Sequence, residues 1–423
     1  MRVVTEVLPS VRSAALGFFV ASGSRSEPEE QAGLSHFLEH LLFRGSARFG
    51  STEIDELFDA MGAELNASTD KETTSVYARM LDRHLPRAFE VMADMVFRPA
   101  FQDLDAERQV VLEEIAMYED DPQDTVFDVL GTAVFGDHPL GRPIIGRAAV
   151  IAHTPAREIA RFHAERYRPP SVVIAAAGSV DHDAIVELAR AHTPGGGDGG
   201  PAGNGRVAFT PAPEVAAGST RFRTKDTEQC HVCLGATGLA RGDDRRYALR
   251  VLDAIFGGLT SSRLFQAVRE ERGLAYSVYS FAGQYADTGQ VGLYVGTRPD
   301  NLAAALSVIA EQLERLQREA ATATELERAK ENVKARAVLA LESSTARMSR
   351  LGSSLLFGLP LLEIDELMER IDAVTLDDLT GLVAEFWQPA DLSAAGIGPD
   401  EQAFGAAMAQ AGLGSGRASH ATP

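Results

Sequence analysis

The sequence has 423 residues, enough for two or three domains rather than one. With 45% apolar and 24% charged residues it reads as globular, and 60 acidic against 40 basic residues leave a formal charge of −20. A surface that acidic repels phosphate backbones and anionic lipid, so neither nucleic acid nor membrane is an expected partner. Two cysteines, Cys230 and Cys233, cannot build a disulfide framework, no apolar run is long enough to cross a bilayer, and MRVVTEVLPS has no secretory or transit pattern, so a cytoplasmic location is expected.

In chain order, ALGFFVASG (15 to 23) reads as a strand. The segment GLSHFLEHLLFRG follows. On a helix, His36, Glu39 and His40 fall at i, i+3 and i+4 on one face, while Leu34, Phe37, Leu38, Leu41 and Leu42 cover the other. Two imidazoles one turn apart can hold one metal ion with the carboxylate beside the open position, the HxxEH pattern. A polar stripe on an amphipathic helix is the plainer alternative.

Next, AELNASTDKETTSVYARM (63 to 80) alternates as strands do, and LDAERQVVLEEIAMY (104 to 118) reads as a second helix. Glu107 and Glu114, two turns apart, share the face that carries Leu104, Val110, Val111, Ile115 and Tyr118, so both carboxylates are expected in the middle of a buried stripe. An ionised carboxylate there needs a cation or a donor, whether a metal ion or a buried Arg or Lys. Glu113 points about 100° away, which makes Glu114 the expected ligand. Two His and one Glu with water in a fourth position form a catalytic zinc set, one Zn2+ per chain, and Glu39 would act as general base in amide hydrolysis.

SVVIAAAG (171 to 178) is a further strand, and residues 193 to 218, rich in Gly and Pro, read as a linker. Beyond it, CHVCLGATG (230 to 238), VGLYVGTRPDNL (291 to 302) and TELER (324 to 328) match ALGFFVASG, TSVYARMLDRHL (74 to 85) and LDAER (104 to 108) at offsets growing from about 215 to about 220 residues. The expected organisation is therefore α+β: two homologous domains, 1–192 and 219–411, each a mixed sheet with helices mainly on one face, joined by the linker and followed by a tail, 412–423. At these offsets His36, Glu39, His40 and Glu114 correspond to Val251, Ala254, Ile255 and Lys334, with Glu327 in place of Glu107, so the second copy is expected to bind no metal. Cys230 and Cys233, three apart on a strand, point to opposite faces and are not expected to act as a metal or redox pair.

SHFLEHLLFRG with ERQVVLEEI, FGDHPLGRPIIG (135 to 146) and GGLTSSRLFQAVREERGLAYSV (257 to 278) resemble the pitrilysin/insulinase family of zinc metallopeptidases, the M16 type. The likeness is to the half-size branch that includes the mitochondrial processing peptidase β subunit and its bacterial relatives, and it covers all but the linker and tail. It implies a zinc metalloendopeptidase that hydrolyses short or unfolded peptides in a closed clamshell chamber, with zinc on His36, His40 and Glu114, Glu39 as general base and Glu107 as an auxiliary acid supporting the metal. It also implies that Arg269 and Tyr276 clamp the substrate, and that peptide adds as a strand along an edge where Asn66, Ala67 and Ser68 offer backbone hydrogen bonds. A chamber needs four such domains and this chain supplies two, so a homodimer is expected, or a heterodimer with a zinc-less paralogue. The alternative is a catalytically silent assembly subunit with the same fold.

Overall fold

The computed structural model describes residues 1–195, 209–213 and 218–414. In chain order the first half contains β1 (Arg2–Val7), β2 (Ser13–Val20), α1 (Leu34–Leu42), α2 (Ser51–Met61), β3 (Glu64–Thr69), β4 (Thr74–Leu81) and α3 (Leu85–Phe97). It continues with α4 (Leu104–Asp120), α5 (Pro122–Phe135), α6 (Ala148–His153), α7 (Ala156–Arg166), β5 (Val172–Gly178) and α8 (His182–His192). The second half contains β6 (Thr220–Thr224), β7 (Cys230–Gly238), α9 (Arg246–Asp253), β8 (Ala275–Gln284), β9 (Gly289–Thr297), α10 (Leu302–Arg318) and α11 (Ala323–Ala340). It closes with α12 (Ser344–Phe357), α13 (Ile364–Asp372), α14 (Leu376–Phe386), β10 (Ser393–Gly398) and α15 (Glu401–Ala411).

Two five-stranded mixed sheets result, ordered β1-β5-β2-β4-β3 and β6-β10-β7-β9-β8. The second order is the first with every strand advanced by five, so the weak sequence repeat corresponds to a repeated topology. In each, one pair at the edge is parallel (β1 with β5, β6 with β10) and the rest are antiparallel. The fold is α+β.

The chain divides into two compact units, and they do not follow its halves. The first comprises Met1–Met117, Pro143–Thr210 and Val338–Leu361; the second comprises Tyr118–Arg142, Pro211–Ala337 and Leu362–Pro423. In the first unit, Leu16, Phe18, Val20 and Ile174 meet Phe37, Leu38, Leu41, Phe89 and Val111 on one face of the sheet. Its opposite face, lined by Ala15, Phe19, Val173, Ala175 and Ala177, is covered by Met348, Leu351 and Leu356 of α12. β5 is buried along its whole length, as a strand covered on both faces must be, and its run of small residues lets the helix approach closely.

The second unit repeats the scheme. One face of its sheet packs on α9 and α10 through Val232, Leu234, Leu249, Leu252 and Leu306. The other, with Cys233, Tyr294, Ala395 and Ile397, is covered by Val126, Leu130 and Val134 of α5. Cys230 and Cys233 thus lie in separate clusters on opposite faces, and both are free thiols. Of the linker, Phe209 lies 5.0 Å under the Arg25 guanidinium and the Thr210 carbonyl accepts from that side chain; residues 196–208 and 214–217 lie outside the described residues. Of the tail, Gly412 closes α15 and Leu413 is buried in the core, while 415–423 lie outside the described residues. Among the described residues no helix is long and apolar enough to cross a membrane.

Candidate metal centre

α1 is fixed by its apolar face: Leu34, Phe37, Leu38, Leu41 and Leu42 are at most 1% exposed. That burial turns His36, Glu39 and His40 toward the open side of the first unit. Gly33, at φ +101°, admits the chain into the helix in a left-handed conformation that a side chain would disfavour. Phe43 and Arg44 close its end through bonds to the carbonyls of His40 and Leu41.

α4 brings the third donor. The His36 Nε2 atom lies 3.6 Å from Glu114 Oε1, and His40 Nε2 lies 3.3 Å from Glu114 Oε2. One donor atom from each of the three residues falls within 4.8 Å of the others, the one such grouping among the described residues. A tetrahedral ion with bonds of about 2.0–2.1 Å needs donors about 3.3–3.4 Å apart, so the spacing fits a small divalent metal.

The surroundings prepare these donors. Burial, reinforced by the neighbouring His40, holds His36 down to about 4, so its imidazole is neutral near pH 7 with a lone pair to give. The His40 Nδ1 is 2.9 Å from Glu107 Oε1, which directs the Nδ1 proton to the carboxylate and leaves Nε2 to face Glu114. Glu107 is buried, and its other oxygen accepts from Arg44 Nε. Burial raises Glu39 above the usual carboxylate range, against the Thr69 hydroxyl and His40, which favour its ionised form. A buried carboxyl held high in this way can take up a proton and give it back.

One expectation is corrected. Val110 is 47% exposed rather than buried, and the Glu114 side chain is 43% exposed. α4 turns Glu107, Arg108, Val111 and Ile115 inward, so Glu107 lies deep and Glu114 stands at the border of the buried stripe. A ligand at a border can serve an ion that substrate must also reach.

The same unit supplies the strand edge. Among the described residues β3 is the last strand of its sheet and pairs with β4 alone. Asp70 N–H donates to the Thr73 carbonyl at the turn, so pairing alternates back from there, and Ala67, opposite Val76, falls in a pair whose backbone groups face outward. In agreement, the Ala67 N–H is taken by its neighbour's Asn66 Oδ1 at 2.8 Å. Asn66 and Ser68 turn their own backbone groups to β4. Ala67 therefore offers the open edge, and the other two offer side chains.

Arg269 and Tyr276 belong to the second unit. The guanidinium stacks 4.4 Å over the Tyr276 ring and donates to the Tyr276 carbonyl at 3.1 Å, and Tyr276 is 76% exposed. Arg44 is not among the expected site residues although it follows His40 by four positions, just past the end of α1, a spacing that the sequence displays. Glu27, whose carboxylate meets the start of α1, carried no such signal because loop residues have no period.

Residues 2–148 match the family described as Insulinase (Peptidase family M16), and residues 155–333 match Peptidase M16 inactive domain. An uncharacterized zinc protease of Streptomyces coelicolor is 42% identical over 393 residues, covering 91% of this chain and 85% of that protein. The uncharacterized zinc protease YmxG of Bacillus subtilis is 40% identical over 389 residues, 92% of this chain and 93% of that protein. The crystal structure of a protease from Helicobacter pylori superposes with a TM-score of 0.87 at 23% identity, covering 94% of this chain and 96% of that one, a likeness of fold.

Proposed function

This chain belongs to peptidase family M16, the insulinase family, and from that premise we propose that it is a zinc metalloendopeptidase acting on short or unfolded peptides. The observation that carries this reading is the convergence of His36, His40 and Glu114 within 4.8 Å beside the buried Glu39 carboxyl. Zinc, when bound by these three, acidifies a water and polarises the scissile carbonyl.

The chain's own groups do the rest. Glu39 takes the proton of the attacking water and delivers it to the leaving amine nitrogen. His36 stays a neutral donor, and His40 is oriented by Glu107, which Arg44 holds in turn. Peptide pairs with the outward backbone of Ala67 as a sixth strand, flanked by the Asn66 and Ser68 side chains, so recognition is mainly of main chain and sequence preference is loose. Arg269 and Tyr276, already stacked, form a preassembled clamp for substrate. The family resemblance supports a chamber completed by a second chain, a homodimer in the simplest case.

Glu39→Gln tests the mechanism. The variant is expected to retain one zinc per chain by metal analysis and to lose cleavage of a quenched peptide by about 10²–10⁴-fold. Turnover at the wild-type rate would overturn the assignment. Wild-type protein that binds zinc but cleaves no member of a diverse peptide library would point instead to a silent assembly subunit.

A further inference from the structure

The segment from Ser22 to Glu27 supplies none of the three metal donors, yet it is tied to both elements that would bring metal and peptide together. On one side it clasps the turn between β3 and β4. Ser24 N–H donates to the Asp70 carbonyl at 3.1 Å and Arg25 N–H to the Lys71 carbonyl at 2.7 Å. The backbones approach so closely that a Cβ on Gly23 would lie 2.3 Å from the Asp70 oxygen. Arg25 and Glu72, both with fully buried side chains, pair at 2.7 Å. Glu72 is itself pinned, its N–H donating to the Asp70 carboxylate at 2.7 Å.

On the other side the segment caps the metal-bearing helix. Glu27 is 3% exposed; its Oε2 accepts from Gly33 N–H at 2.7 Å and its Oε1 from Ser35 N–H at 2.6 Å. α1 has no cap from its own boundary residue, since Gly33 has no side chain. A carboxylate on two such N–H groups satisfies donors that the helix leaves open and meets the positive end of its dipole. His36 follows Ser35 directly, so whatever fixes Ser35 fixes the first ligand along the helix axis.

We propose that Glu27 is a positioning residue for the metal centre: by gripping Gly33 and Ser35 from a segment locked to the β3–β4 turn, it sets α1, and with it His36, in register with the peptide-binding edge. This rests on the function proposed above. A nine-residue helix has few backbone bonds to resist sliding or tilting, so its first turn needs an outside anchor. A misplacement of about 1 Å between metal and scissile bond can cost about 10²-fold in rate, and it costs rate before it costs peptide affinity.

The test uses full-length Glu27→Gln, which keeps the shape but puts an amide NH2 against one of two N–H groups, and Glu27→Asp, which keeps the charge but is one methylene shorter. Zinc affinity is measured by chelator competition, the visible spectrum after cobalt substitution, and kcat and KM at saturating zinc. Glu27→Gln is expected to bind zinc about 10–100-fold more weakly, to shift the cobalt bands, and to lose kcat by about tenfold or more with KM within about threefold. Glu27→Asp is expected to fall between, and it decides the matter by the same measurements if the Gln variant does not fold. A lower melting temperature with wild-type zinc affinity, spectrum and kcat would reduce Glu27 to a structural cap and overturn the inference. Wild-type protein that binds no zinc would bring down the proposed function and this inference with it; wild-type protein that binds and cleaves, matched by both variants, would bring down only the role of Glu27.

Discussion

The two nitrogens of His40 have different partners, Glu107 on Nδ1 and Glu114 across from Nε2, and that asymmetry suits the ring to the ligand role proposed for it. Residues of this kind were legible in the sequence wherever helical period applied: His36, Glu39 and His40 on α1, Glu107 and Glu114 on α4. The period does not tell which apolar neighbour of Glu114 reaches the core, so by period alone Val110 falls on the wrong side of the border. Nor could it show Glu27, whose role comes from a loop that folds back. Another buried acid makes a prediction about stability. Burial lifts Asp253 to about 6, against the pull of the Ser280 hydroxyl, which donates to it at 2.5 Å, and of Arg250 and Arg336. The folded chain thus keeps a proton that the unfolded chain releases near 3.8, so this group's contribution is full below about 4 and is lost as pH rises through about 6. Asp253→Asn can still accept from Ser280. It is expected to be more stable than wild type by about 1–3 kcal/mol at pH 8 and equal to it near pH 4, read from urea midpoints at both pH values.

Among the elements, β3 is where fold and function meet most directly. Edge strands invite pairing, and most proteins blunt them; here the exposed residues of the edge are polar and the outward Ala67 N–H is covered only by a short Asn66 side chain. The alternation of the ladder gives two neighbouring substitutions opposite outcomes. Ala67→Pro removes an N–H that β4 does not use, so stability should change by less than about 1 kcal/mol while kcat/KM for peptides falls about tenfold or more. Ser68→Pro removes a ladder donor to β4 and should cost about 2–3 kcal/mol, seen in thermal or urea unfolding. Equal effects of the two on cleavage and stability would refute this orientation of the strand. That 63 to 80 forms strands is readable from its alternation; that β3 ends the sheet is not, because strand order depends on crossovers that leave no local trace.

On the scale of the molecule, the repeat was visible in short matches, but the exchange of helices was not. α5 and α12 occupy corresponding places in the two halves of the sequence, and each covers a sheet in the unit built mainly from the other half. The apolar faces of Val126, Leu130 and Val134, or of Met348, Leu351 and Leu356, would suit either sheet, so hydrophobic pattern alone could not choose. The exchange predicts that the halves are not separable. Residues 1–195 alone would leave Phe19 and Val173 uncovered, at about 1.5–3 kcal/mol for each large side chain, against a typical total stability of about 5–15 kcal/mol. Each half alone is therefore expected to lack a cooperative unfolding transition, and mixing the two to restore one together with zinc binding; cooperative folding of an isolated half would refute this. Reciprocal lending of a helix is the geometry of a domain swap held within one covalent chain. Its consequence is a debt between the copies: the sheet beneath the proposed metal donors is sealed by residues encoded some 300 positions away, in the second copy. Substitutions at Met348 or Leu351 are thus placed to impair metal binding, although the sequence around them bears no mark of it.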